Sequence, residues 1–214
     1  MPINHEHRAI FIHIPKSGGT SVHQYLKAKT GGERWDFYGR KFGDRKDLET
    51  LRLRSPVTNR VLRQAQHLTG AHIKGIVSDD VWNSYFKFAV VRNSWDRIVS
   101  YYEYARQTGG RDGTDVLSFK EWFYERNPFP RALPYIQTEP GKIAIDYVIR
   151  FEKLVEGLGE VCAKTGIPFS AADFPHAMKT KRKHYTEYYD DDMRKMVADR
   201  LGEDIEFFKF RFEK

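Results

Sequence analysis

Three stretches of the chain are apolar and short enough to predict buried strands. Residues 9–14 (Ala-Ile-Phe-Ile-His-Ile) form the first, Tyr85 to Val91 the second and Ile143 to Phe151 the third. Apolar, β-rich runs of this length suit strands covered on both faces. A helical spacing follows each of them. Val22, Tyr25 and Leu26 keep it after the first run, and Trp95, Ile98, Val99 and Tyr102 after the second. Leu154, Val155, Leu158, Val161 and Cys162 keep it after the third, in a helix predicted through residue 164.

The remaining elements carry weaker patterns. Residues 68–76 read as a strand, and Ser78-Asp79-Asp80 as a helix start with acids at the positive dipole end. Asn93 can cap the helix after the second strand, with Asp96 three positions on as its box partner. Ser118 to Glu125 suggests a short helix that the proline-rich 127–134 ends. A last helix is expected at 187–201, before an aromatic tail from Phe207 to Phe212. Residues 30–60 read as an irregular excursion with one or two short helices, and 107–116 and 173–186 as loops. Strand and helix alternate, so the expected fold is α/β, a central, mainly parallel sheet flanked by helices in a single domain over 1–214. Ligands of such sheets bind at the carboxyl ends of strands.

The 214 residues carry a formal charge of +7, which favours anionic partners without choosing among nucleotide, nucleic acid, membrane or acidic glycan. The single cysteine, Cys162, excludes an intrachain disulfide and a cysteine-based zinc site, and its place on a helix's apolar face reads as core. The apolar run 9–14 is too short for a signal peptide or a span, which predicts a cytoplasmic protein.

Two segments carry chemistry. Pro15-Lys16-Ser17-Gly18-Gly19-Thr20-Ser21 lies between the first strand and its helix. Glycines let backbone N–H groups turn inward around an anion, the helix start adds unpaired donors, Ser17, Thr20 and Ser21 add hydroxyls, and Lys16 adds a point charge. This P-loop-like segment departs from the nucleotide-kinase loop, whose lysine comes late and is followed by Ser or Thr on magnesium. No strand-borne acid for a metal is evident, so no metal is expected. The plain alternative is a glycine turn between strand and helix. In the second segment, Arg92 stands at the end of the second strand and Ser100 eight residues on, two helical turns away. Arginine's fork suits a phosphate, and the serine can donate to the same group.

Together these segments resemble the PAPS-dependent sulfotransferases, in particular the carbohydrate-type group with soluble bacterial members. Phe11 to Val22 is similar to that family's 5′-phosphosulfate loop, and Phe88 to Ser100 to its 3′-phosphate segment. Ile149 to Leu154, Lys183 to Asp191 and Asp204 to Phe208 resemble later family segments, while residues 30–65 match least. Ser94 stands where the family usually has proline, and serine also starts a helix well.

The resemblance implies in-line transfer of a sulfuryl group from PAPS to an acceptor hydroxyl, on a carbohydrate or glycoconjugate first, with release of PAP. It implies that Lys16, Ser17, Gly18, Gly19, Thr20 and Ser21 hold the 5′ end and that Lys16 meets the developing charge. Arg92 and Ser100 would hold the 3′-phosphate, joined by Lys181, Arg182 and Lys183 of the basic run, which also reads as a solvated charge cluster. His72 stands at a distance from Arg92 resembling that of the family's catalytic histidine and is the first choice of base, with His67 next. His13 reads as a buried, satisfied histidine, and Glu152 as a helix-starting acid. Acceptor recognition is expected in 30–65 and 107–116. Two rivals remain. A P-loop kinase requires ATP and Mg²⁺. A basic nucleic-acid-binding module rests on charge and aromatic content, without a recognised motif.

Overall fold

The computed structural model describes residues 3–31, 35–36, 67–108, 117–175 and 182–214. The excursion 30–60, most of the loop 107–116 and Lys181 therefore lie almost wholly outside the described residues. The chain divides into two compact units, Met1–Val91 with Pro134–Ala177 and Arg92–Leu133 with Met178–Lys214.

The first unit is built on a five-stranded sheet. Its strands are β1 (Ile3–Asn4), β2 (Ala9–Ile12), β3 (Trp35–Asp36), β4 (Phe86–Val91) and β7 (Tyr147–Arg150), in the order β3-β1-β2-β4-β7. β2, β4 and β7 run parallel, and β1 pairs antiparallel with both β2 and β3. Helices α1 (Gly19–Lys29) and α6 (Leu154–Thr165) lie in the same unit. Phe11 pairs with Phe88 across β2 and β4, their rings stacked 5.1 Å apart. These two join Val22, Tyr25 and Leu26 of α1 and Leu158, Val161 and Cys162 of α6 in one buried cluster. Ile10, Ile12, Ala89 and Val91 point to the other face and are wholly buried too. Burial on both faces explains the near-continuous apolar runs. The Cys162 thiol, pushed up to about 11 by burial, is core as its spacing predicts.

Two expectations change here. Residues 68–76 are not a strand: Gly70–Lys74 form helix α2. Thr69 caps it, with its Oγ1 accepting from the His72 N–H at 3.1 Å and its own N–H donating to His72 Nδ1 at 3.3 Å. A reciprocal capping box outweighs the β-branched content of that segment. The third apolar run is also shorter than predicted, because Ile143 belongs to a hairpin of β5 (Gln137–Glu139) and β6 (Lys142–Ile143), turned at Gly141 with φ +82°. Helix α3 (Asp79–Ser84) starts at a Ser78 cap as its sequence predicts.

The second unit is helical among the described residues, with α4 (Ser94–Gln107), α5 (Phe119–Arg126), α7 (Asp191–Arg200) and α8 (Gly202–Phe208). Trp95, Val99, Tyr102, Phe119, Trp122 and Phe123 are buried in it. Ser118 and Glu121 form the box that starts α5. The buried Asp204 carboxylate accepts from the N–H groups of Ala132 and Leu133, the latter at 3.1 Å. Asn93 does cap α4, accepting from the Trp95 N–H at 3.1 Å. The Asp96 carboxylate instead binds two arginines, described below.

Candidate functional site

In the first unit, Lys16 to Ser21 leave the carboxyl end of β2, on the sheet edge where β4 and β7 also end. Gly18 caps α1 in the left-handed region, φ +80°, and Lys16 precedes it at φ +63°. A Cβ on Gly18 would sit 2.8 Å from the Phe151 ring, and one on Gly19 would sit 2.1 Å from the His13 ring. Both glycines are therefore required sterically, and Gly18 also conformationally. No side chain caps α1 and its first turn holds no acid. The first turn thus sets no carboxylate of its own against the positive end of that dipole, and the Ser21 N–H turns back to the Gly18 carbonyl at 3.1 Å. Ser17 is fully buried, with its Oγ unpartnered. Ser21 is buried, Lys16 half-buried and Thr20 exposed.

Histidines surround the loop. His13 stacks on Phe11 at 5.5 Å and meets His67 edge-on at 4.7 Å. Burial first, and then His67, hold His13 down to about 3, while burial takes His23 to about 4 and lowers His72. The partners of two rings fix their tautomers. His67 Nδ1 lies 3.0 Å from the His13 carbonyl, which only accepts, so Nδ1 bears the proton and the neutral ring's lone pair is on Nε2. His72 Nδ1 accepts from a backbone N–H, so neutral His72 carries its proton on Nε2. Glu152 lies in the turn Phe151–Lys153 ahead of α6, with Oε2 3.7 Å from Arg150 Nε, in keeping with a helix-starting acid.

In the second unit, Arg92 and Asp96 are both 8% exposed, and Arg92 Nε donates to Asp96 Oδ2 at 2.6 Å. Arg182, eighty-six residues further on, donates from NH2 to the other oxygen of the same carboxylate. One carboxylate thus gathers two guanidinium groups, and Arg182 NH1 is buried without a partner. Ser100 lies one turn beyond Asp96 on the same face of α4 and is half-buried. Lys183 is exposed. Arg182 and Lys183 also line a cleft of about 810 Å³ with Tyr102, Arg106, Phe119 and Tyr188. Within it, the Glu103 carboxylate accepts from Tyr188 Oη at 2.8 Å and from Arg106 NH2 at 3.1 Å. Burial first, and then that bond, push the Tyr188 phenol up to about 12.

Residues 1–211 match the sulfotransferase family. This chain belongs to that family. Sulfotransfer is accordingly its activity in general terms, with a nucleotide donor and a hydroxyl acceptor as the family's partners. An uncharacterised protein of Archaeoglobus fulgidus is 29% identical over 101 residues, 45% of this chain and 80% of that protein. No solved structure matches. PAPS, the donor the family generally uses, offers a 5′-phosphosulfate and a 3′-phosphate. The orphaned Ser17 Oγ and crowded glycines of the loop fit the first, and the orphaned Arg182 NH1 beside Arg92 fits the second.

Among the described residues, no helix of this sulfotransferase is long and apolar enough to cross a membrane, and no three His, Cys, Asp or Glu side chains are grouped to hold a metal ion. The residues of the two segments are consecutive or regularly spaced in the sequence, and so are legible there. The sequence does not reveal Asp96 as the partner of both arginines, the glycine contacts to Phe151 and His13, or the cleft. None of these follows from local spacing.

Proposed function

We propose that residues 1–214 act as one sulfotransferase domain that moves a sulfuryl group from PAPS to a hydroxyl of a carbohydrate or glycoconjugate. Lys16, Ser17, Gly18, Gly19, Thr20 and Ser21 form a P-loop-like cradle for the 5′-phosphosulfate. Arg92, Ser100, Arg182 and Lys183, with Lys181 of the same basic run, hold the 3′-phosphate. The observation that carries this reading is Ser17 Oγ, a buried donor with no partner at the mouth of an uncapped helix. Buried polar groups are rarely left unsatisfied, and an anion there would accept its bond.

In the reaction the acceptor oxygen forms its bond to sulfur as the bond from sulfur to the bridging phosphate oxygen breaks. Negative charge grows on that oxygen, where Lys16 and the first amides of α1 stabilise it. The acceptor's proton passes to a histidine, and the tautomers divide the work. His67 presents a lone pair on Nε2 and serves as base. His72 presents an N–H and donates to the transferring group, and it becomes a base only by giving up its bond to Thr69.

The test is transfer of label from sulfur-35 PAPS to a panel of oligosaccharides and a tyrosine peptide. Label in a saccharide with an equal amount of PAP is expected, with a larger loss of turnover for His67→Ala than for His72→Ala. Label only in the peptide would overturn the acceptor class. No release of PAP, with magnesium-dependent phosphate transfer from ATP, would replace the reading by a kinase.

A further inference from the structure

The Arg92, Asp96 and Arg182 cluster holds a feature that nucleotide binding alone does not explain. A carboxylate is a poor neighbour for a phosphate, since like charges repel at short range. Asp96 nevertheless lies buried between the two arginines and uses both oxygens on them, Oδ2 on Arg92 Nε and Oδ1 on Arg182 NH2. Arg182 NH1 is buried and unpartnered. Two guanidinium groups thus share one buried carboxylate. Arg182 comes from a segment far from α4 in sequence, and its bond to Asp96 ties it to that helix.

We propose that Asp96 is a positioning residue that locks Arg92 and Arg182 into one phosphate bracket, so that preference for a 3′-phosphorylated nucleotide depends on a buried carboxylate that never touches it. Asp96 orients the fork of Arg92 from one oxygen and recruits Arg182 from the other. The pre-set guanidinium groups then meet the phosphate without first being ordered. This rests on the sulfotransferase reading above.

The experiment separates the two by comparing PAP with 5′-AMP, which lacks the 3′-phosphate, in calorimetric titrations of the full chain. The ratio of their dissociation constants isolates the 3′-phosphate. In the unaltered chain PAP binds at least tenfold tighter; equal affinities would overturn the donor reading itself. Asp96→Asn keeps the side chain's shape and removes its charge. It lowers the ratio about tenfold or more and leaves AMP affinity within about twofold, since charge-assisted bonds weaken to neutral ones. Simple electrostatics predicts the opposite sign, because a negative charge is removed beside a dianion. An unchanged or larger ratio, in a protein with native melting behaviour, overturns the positioning role. If Asp96→Asn does not fold, Arg182→Ala, half-buried and outside the helices, carries the test. It lowers the same ratio, and an unchanged ratio contradicts the bracket.

Discussion

The loop of the first unit and the arginine cluster of the second offer anion-binding groups by opposite means. The loop uses backbone: a left-handed Gly18, a Gly19 without room for a Cβ, and the uncapped start of α1. Its parts are consecutive in sequence. The cluster uses side chains: Arg92 and Asp96 four residues apart, and Arg182 eighty-six residues beyond Asp96. A backbone cradle is fixed by sterics and fails when one atom is added. A side-chain bracket is fixed by charge pairing and weakens in steps.

That difference orders the expected effects. Gly19→Ala is the largest: its Cβ would lie 2.1 Å from the His13 ring, so either the loop or the histidine must move. Overpacking of this kind costs about 1–3 kcal/mol of stability, and PAP binding by calorimetry falls at least a hundredfold. Arg92→Ala comes next. It removes a charged donor and strands Asp96 between fewer partners, and it weakens PAP by roughly tenfold to a hundredfold, from about 1.5–3 kcal/mol for a bond to a charged group. Equal losses from Gly19→Ala and Arg92→Ala in both stability and binding would erase the comparison.

The smallest effect is a pH dependence confined to the first unit. His13 is held down to about 3 by burial, so the folded chain binds a proton there less readily than the unfolded chain does. Above the ordinary histidine range both states are neutral and nothing is lost. As pH falls below that range the unfolded state gains protons first, and stability drops until about pH 3. Urea melts of the native chain and His13→Asn check it: the variant shows a shallower acid slope, and an identical slope would remove His13 from the explanation.

How much of this was legible in the sequence follows from the same contrast. The strands carrying the loop and Arg92 were readable because both faces of β2 and β4 are buried, leaving unbroken apolar runs. Their helices were readable from spacing. Segment 68–76 reads as a strand because Leu68, Ile73 and Ile76 suggest one, whereas Thr69 and His72 decide for a helix through side-chain bonds to backbone. Asp96 was misread for the same kind of reason. Its spacing from Asn93 fits a capping box, but a carboxylate beside two guanidinium groups gains more from charge than from one cap bond. Contacts between residues far apart in sequence, such as Arg182 with Asp96 or Gly18 with Phe151, left no periodic trace.

The central claim is that one nucleotide donor uses both regions. Calorimetric titration of PAP into the native chain, Lys16→Ala and Arg92→Ala, with ATP and Mg²⁺ as the contrast, tests it most directly. The account predicts one PAP per chain, weakened in both variants, and weaker ATP binding that gains nothing from Mg²⁺. PAP binding that survives intact in either variant, or ATP binding that requires Mg²⁺ and exceeds that of PAP, would contradict it.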